Sequence, residues 1–550
     1  MNRVKQRSLL LAGLLAAGVG GGCEGFLDTV PQGSLDELTL LSRDGVEATL
    51  IGAYRMLGGF PDSWPSAPSN WLYSNITSDD AYKGSEPNDQ PEANEIELYN
   101  WSGGGAHNYL NTKWEAVYEG VRRANATLSL LARVMEEKPG EISEADARSI
   151  RGEALFLRAH FHFEAWRFWG SIPYYTEEDT DYYKPNEGTD AIALILQDLD
   201  EAISLLQPMA RGTGADKGRV NQWTAKAYKG RVLVYAGRYA EALPVLTDVV
   251  TNGPYRLQEN FYQVWSAMGE YQNGPETILA YQAAVNAGDP NGAPSNSGER
   301  LNFPHSGSPF GCCGFNQPSQ NLVNFFKVDA NGLPLALSVG DLEPLDATAA
   351  WNADNDNFTA AKTDPVDPRL DWTVGRDGVP YKDWGLHSST EGWVRDISNG
   401  GYYNGKKHVH EHASGSQSTV GWNNAHLNGM NFHIFRYADL LLLLAEAEVE
   451  AGSLENARQI VNQIRERAGK AAQGCGLPSN PDRAAKLLAV YPHCANDSRI
   501  AVPIDDPSIK WATYRIGLYT TPWTDKEFAR SAVRYERRLE LAMEGQRFFD

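Results

Sequence analysis

Histidines 408, 410 and 412 alternate in the stretch HVHEH. On a β-strand all three would project from one face, an arrangement that suits a metal ion. No fourth ligand accompanies them, so a solvated loop is the stronger reading and no metal is expected. Just upstream, Gly400–Lys407 reads GGYYNGKK and approaches a phosphate-binding loop. It lacks the Ser or Thr that would hold magnesium, and no apolar strand leads into it. Asp354 and Asp356 in DNDNF resemble the start of a calcium loop without its glycine and distal glutamate. Past Cys23 the chain has no G-x-S-x-G, H-E-x-x-H or dinucleotide-binding glycine fingerprint. Carboxylates are too numerous for one pair to stand out as a glycosidase acid and nucleophile. These residues call for neither an enzyme nor a cofactor.

The aromatics say more. Trp64, Trp71, Tyr73, Tyr82, Tyr99 and Trp101 crowd a segment otherwise built of Ser, Asn, Asp and Pro. A second set follows at Trp351, Trp372, Tyr381, Trp384, Trp393, Tyr402 and Tyr403. Trp and Tyr in polar, loop-rich text offer flat apolar faces beside hydrogen-bonding groups, which is what a sugar ring needs. For any single ring, packing inside an irregular lobe short of aliphatics is the commoner outcome. The early set is preferred as a ligand surface because Asn75, Asp79 and Asp80 lie within it. The candidate ligand-binding residues are Trp71, Tyr73, Asp79, Asp80, Tyr82 and Trp101.

Cys23 poses a different chemistry. Arg3, Lys5 and Arg7 form a basic start, and Ser8–Val19 is an apolar block too short to span a bilayer, ending in small residues. A cysteine directly after them marks a lipoprotein signal, in which residues 1–22 are removed and the Cys23 thiol is acylated. Gly20 stands where such signals usually carry leucine. Of the remaining cysteines, Cys475 and Cys494 flank a loop that an exported protein could bridge. Cys312 and Cys313 are adjacent, leaving a vicinal bridge or buried thiols. Neither pair has C-x-x-C zinc spacing.

The 550-residue chain carries a formal charge of −21, and losing Arg3, Lys5 and Arg7 with the leader takes it to −24. Such a surface repels nucleic-acid phosphate and anionic lipid. Past Cys23 no apolar run is long enough to cross a membrane as a helix.

Two kinds of text supply the elements that position these residues. Val46, Leu50, Ala53, Tyr54 and Leu57 recur at helical spacing, as do Ile192, Ile195, Leu196, Leu199, Ile203 and Leu206. Residues 111–134, 144–169, 224–250 and 435–468 also predict helices or helix pairs. The pattern AGRYAEA at Ala236–Ala242 returns as AGSLENA at Ala451–Ala457. In each, Ala–Gly ends one helix, a bulky residue fills the gap, and a later Ala lets the next helix close up, as in tetratricopeptide units. The fold class expected is mainly α, a tetratricopeptide-like helical hairpin scaffold with a large irregular loop-rich lobe. The scaffold spans about 35–59, 109–265 and 432–550, and the lobe about 60–108 and 266–431, within a single domain from residue 23. So long an irregular stretch cannot be a plain loop in a compact domain, and long loops on a rigid frame are where binding surfaces sit.

Seven segments in order carry a resemblance. They are CEGFLDTVPQGS (23–34), WEAVYEGVRRAN (114–125), RGEALFLRAHFHFEAWRFWGSIPYY (151–175), GRVNQWTAKAYKGRVLVYAGRYAEAL (218–243), FRYADLLLLLAEAEVEAG (435–452), VNQIRERAG (461–469) and RRLELAMEGQRFFD (537–550). Together they resemble the SusD/RagB family of nutrient-binding outer-membrane lipoproteins. The resemblance implies that Cys23 is the lipid anchor at the cell surface. It also implies an oligosaccharide ligand, in some members a peptide, and a TonB-dependent, SusC-like outer-membrane barrel as partner. Family members normally continue some tens of residues past the EGQRFFD segment, so a further C-terminal stretch is expected. Two other readings compete: a helical interaction protein that binds peptide on its concave face, and an exported glycan hydrolase.

Overall fold

The computed structural model describes residues 40–550 apart from 104, 210–217, 339–355, 423, 471, 497–498, 503, 505 and 507–510. Cys23, Trp351 and Asp354 lie outside the described residues.

Apolar residues at three- and four-residue spacing build a stack of helices. These are α1 (Arg43–Arg55), α2 (Ala106–Glu137), α3 (Glu144–Trp169), α4 (Ala191–Leu205), α5 (Gln222–Tyr235) and α6 (Tyr239–Asn252). On α2, Val117, Val121, Ala124, Leu128, Leu131 and Val134 are buried and face its neighbours. Each such aliphatic removed from water contributes roughly 1.5–3 kcal/mol. Starts are fixed by side chains accepting orphan N–H groups: Ser143 accepts from Asp146 and Asp190 from Ala193. Asn221 and Thr224 cap α5 reciprocally.

The stack continues after the lobe with α7 (Tyr437–Ala451), α8 (Leu454–Ala468) and α9 (Lys526–Leu541). Each helix from α1 to α8 packs on the next in sequence, and α6 packs on α7 although the lobe separates them in the chain. α9 closes this end against α7 and α8. Both expected repeats are helical hairpins, α5–α6 and α7–α8. Ala242 and Ala457 are fully buried in them, and Tyr239 and Leu454 pack half-buried at the turns. The two turn glycines differ. Gly237 is left-handed at φ +70°, as a helix-ending glycine requires, whereas Gly452 has φ −128°. At Gly452 the need is space, because a Cβ there would strike the Glu448 carboxylate.

The irregular text folds with little regular structure. β1 (Ala81–Gly84) pairs antiparallel with β3 (Phe315–Pro318), bringing the two lobe segments together at Tyr82↔Gln317. β2 (Thr277–Tyr281) pairs antiparallel with β4 (Phe432–Arg436), from Thr277↔Arg436 to Tyr281↔Phe432. This second pair joins the lobe's exit from the stack to its return, since β4 runs directly into α7. Every sheet among the described residues has two strands. Ribbons this narrow are marginal alone, so side chains must hold the lobe.

They do so with buried charge. Arg436, at the end of β4, donates to Glu276 and Glu540 at 2.7 Å and to Glu544 at 2.8 Å. Arg467 of α8 reaches Glu276 at 2.8 Å and also pairs with Glu540. Arg369 reaches Asp367 at 2.7 Å, Glu536 at 2.8 Å and Glu540 at 3.0 Å. Lys407 pairs with Glu544 at 2.6 Å. Glu536, Glu540 and Glu544 recur every four residues, so one face of α9 and the turn after it forms a carboxylate ladder into which the lobe's cations plug. The RRLELAMEGQRFFD segment is therefore structural chemistry: it clamps the lobe to the stack. Both remaining cysteine pairs, Cys312–Cys313 and Cys475–Cys494, are bridged.

Candidate functional site

The early aromatic segment divides into an interior and a surface. Trp71 is 1 % exposed, packs against Phe315 and donates from Nε1 to the Gly298 carbonyl at 3.2 Å. Tyr73 is buried against Phe168, and its hydroxyl donates to the Tyr109 carbonyl at 2.6 Å. Both rings are core, which corrects their choice as ligand platforms: neither has a face left for a sugar. Asp80 is buried too, accepts from the Met543 N–H at 3.3 Å and lies 3.5 Å from Arg538. Its role is to hold the turn after α9.

The other three candidates, Asp79, Tyr82 and Trp101, lie at or beside a cleft of about 700 Å³. Strand alternation on β1 buries Ala81 and Lys83 and turns Tyr82 outward, 40 % exposed. Across the cleft stand Tyr99, 54 % exposed, and Phe548, 44 % exposed. Trp101 buttresses both, edge-on to Tyr99 at 5.3 Å and to Phe548 at 6.4 Å between ring centroids. Tyr99 has φ +61°, a costly conformation for an aromatic residue, and its hydroxyl donates to the Thr77 carbonyl. The Thr77 bond and the Trp101 edge contact hold the ring beside the opening.

Asp79 forms the polar floor. Arg538 donates to its Oδ2 at 2.6 Å and Arg547 to its Oδ1 at 3.0 Å. Burial works to raise the Asp79 carboxyl, but the two guanidiniums outweigh it and hold its pKa below the ordinary value. Burial pushes its neighbour Asp80 the other way, with the Asp79 charge adding to the rise. Glu97, on the short helix Pro91–Glu97, lines the cleft with its pKa raised by burial and accepts from the Lys83 N–H at 3.2 Å. Asn321 and Ser319 complete the polar wall. Exposed ring faces thus stand beside carboxylate, amide and hydroxyl groups.

Several contributors escaped sequence reasoning, Glu97 and Ser319 among them. Tyr99 was one ring among many, and Asn321 stands in the irregular text of residues 266–431, where no local pattern marks it. Arg547 and Phe548 belong to the C-terminal segment read as scaffold. The one available signal was the Asp79–Asp80 pair, since adjacent acids in a lobe need cations from somewhere.

The histidines do not form a metal centre. His408 bonds through Nε2 to the Met543 carbonyl at 3.0 Å, His410 is buried beside Trp384, Phe303 and Phe310, and His412 reaches Ser479 at 3.2 Å. Burial lowers the His410 pKa to about 3. Lys406 and Lys407 of the phosphate-loop lookalike are also interior, Lys406 donating to the carbonyls of Asp371 and Pro380 at 2.8 Å. In the later aromatic set Trp372, Tyr381, Trp384, Trp393 and Tyr403 are buried core rings.

Comparison with known proteins agrees with this architecture. The model of the SusD family matches residues 275–550, and one described as "Starch-binding associating with outer membrane" matches residues 25–234. The chain belongs to the SusD family. Among curated SusD relatives, SusD-like protein P38 of Formosa agariphila is 25% identical, covering 85% of this chain and 82% of that protein. SusD-like protein P25 of the same organism is 23% identical, covering 81% and 79%. Solved SusD folds include a laminarin binding SusD-like protein with TM-score 0.59 and 21% identity, covering 92% of this chain and 90% of that one. Surface glycan-binding protein A from Bacteroides thetaiotaomicron, in complex with laminarihexaose, gives TM-score 0.57 at 16% identity, covering 92% and 89%. At these identities the solved structures establish the shared fold. No helix among the described residues is long and apolar enough to cross a membrane.

Proposed function

We propose that this SusD-family protein is a cell-surface lipoprotein, anchored in the outer membrane through Cys23, that binds an oligosaccharide nutrient and passes it to a TonB-dependent, SusC-like barrel. The observation that carries the binding step is the cleft: Tyr82, Tyr99 and Phe548 present ring faces beside Asp79, Glu97 and Asn321. Sugar recognition needs this pairing of apolar faces for C–H groups and polar groups for hydroxyls. Laminarin and laminarihexaose, the glycans of two structural relatives, support the reading, as does the family description that couples starch binding to the outer membrane.

The reading is binding without chemistry. Both oxygens of Asp79 are engaged by guanidiniums, which pins the carboxylate and dulls it as a nucleophile. A glycan array on the mature protein should give retained oligosaccharides, and incubation with each should release no shorter products. Cys23→Ser should leave a soluble or unprocessed protein. If that variant still fractionates with the outer membrane like wild type, the anchor assignment fails.

One feature favours a second reading. A groove of about 650 Å³ on the helical stack is lined by Trp114, Tyr118, Asn125, Tyr175 and Tyr182. An extended peptide would suit it, and peptide-library binding abolished by Trp114→Ala but not by loss of the cleft rings would move the ligand there.

A further inference from the structure

Most fully buried arginines of this chain meet carboxylates as deeply buried as themselves. Arg369, Arg376, Arg436 and Arg465 each face Asp or Glu side chains no more than 4 % exposed. Arg300 does not. Its side chain is 8 % exposed, yet its ion-pair partner is Asp62, whose side chain is 65 % exposed. Nε and the terminal nitrogen nearest Asp62 have no hydrogen-bond partner of good geometry. A guanidinium carries five donors in a planar fork, so leaving most of them idle after desolvation is costly.

Three loops of the lobe hold this cation in place. Trp64 opens the turn Trp64–Ser66, which packs against the turn Ser297–Glu299 preceding Arg300. Trp422 comes from a third loop, whose Gly421 packs so tightly on Asn291 that a Cβ would lie 2.6 Å from its carbonyl. The guanidinium carbon sits 5.0 Å from the Trp64 ring centroid and 5.1 Å from that of Trp422. It therefore lies within cation–π reach of two indoles. Trp422 is 56 % exposed and offers solvent a flat apolar face beside the guanidinium.

We propose that Trp64, Arg300 and Trp422 form a subsite for the acidic group of an anionic oligosaccharide, a carboxylate or a sulfate ester, with Asp62 occupying the guanidinium until the ligand displaces it. The planar fork matches either group with two parallel N–H···O bonds. The sugar bearing the group packs on the free face of Trp422. The inference rests on the glycan-binding reading and narrows it to a charged class of sugar.

The test is titration calorimetry with three probes: an oligogalacturonate, a sulfated oligosaccharide and neutral laminarihexaose. The proteins are wild type, Asp62→Asn, Arg300→Gln and the cleft variant Tyr82→Ala/Tyr99→Ala. Asp62 is exposed, so Asp62→Asn should fold normally and bind at least one charged probe about threefold more tightly. Arg300→Gln should weaken the same probe about tenfold or more and remove the salt dependence of its binding, leaving laminarihexaose unchanged. The uronate and sulfate arms identify which acidic group fits. Neutral binding without binding of either charged probe would overturn the subsite alone. So would equal effects of both variants on charged and neutral probes, or no effect at all. Absence of binding to all three, or neutral binding untouched in the cleft variant, would instead strike the glycan-cleft reading.

Discussion

The helical stack and the irregular lobe solve the same problem with different materials. Along α2 the buried face is apolar and periodic, α3 and α7 are buried nearly all round, and backbone groups bond within each helix. The lobe has only narrow ribbons and turns, so it satisfies its polar groups with long cations. Lys406 fills carbonyls from Asp371 and Pro380, and Lys382 fills those of Trp265 and Val409. Its rings serve mainly as core: Trp393, Tyr381 and Tyr403 are fully buried. An aromatic-rich lobe is thus not in itself a binding surface. Its few exposed rings matter because the rest are already spent on packing.

This contrast can be broken at its hinge. Glu540→Gln removes the carboxylate shared by Arg369, Arg436 and Arg467 and leaves buried cations underpaired. The expected loss is about 3–5 kcal/mol. Hydrogen exchange should show the lobe and α7–α9 losing protection while α2–α4 keep theirs. Uniform loss across both regions would mean that the ladder is not what joins them.

Acid sharpens the same comparison. Burial lowers His160 and His162 in the stack to about 4 and about 3, and His410 in the lobe to about 3. In each case the unfolded chain takes up a proton near pH 6.5 that the folded chain refuses. The stability they contribute is therefore intact above 6.5 and lost as the pH falls toward 4, on the order of 1.4 kcal/mol per histidine per pH unit. In the lobe clamp, burial raises Glu544 but Arg436 and Lys407 outweigh it and bring it to about 2. That contribution is present above pH 4.5 and lost between 4.5 and 2. Melting temperature should fall from pH 6.5 downward, with segment-resolved exchange showing an added loss in the lobe below 4.5.

The smallest effects concern the hairpin turns. Gly237→Val forces a branched residue into a left-handed turn with open space around it, costing about 1–2 kcal/mol. Gly452→Val instead displaces the Glu448 carboxylate, which accepts from Ser453 N at 2.8 Å and Asn456 Nδ2 at 3.0 Å. Losing that cap costs about 1 kcal/mol. Thermal melts of both variants check the turns, and ligand affinity of the folded protein should not change.

Periodicity made the stack legible. Residues 144–169 read as a helix and are α3, and the AGRYAEA and AGSLENA turns mark real hairpins, because helix spacing and turn chemistry are local properties. The cleft was half legible for the opposite reason. Whether Trp71 is core or Tyr99 is surface depends on the Gly298 carbonyl and the Phe548 ring, hundreds of residues away. Asp79 illustrates it best: its candidacy came from local composition, but its state is set by Arg538 and Arg547. The Asp79–Asp80 pair in its own segment asks for cations but does not say which residues supply them.

The most direct measurement of the central claim is calorimetry of Tyr82→Ala/Tyr99→Ala against the oligosaccharide that the array identifies. Each exposed ring contributes on the order of 1 kcal/mol of stacking, so the double variant should bind tens of fold more weakly than wild type while remaining folded. A folded double variant that binds at wild-type affinity would contradict the account.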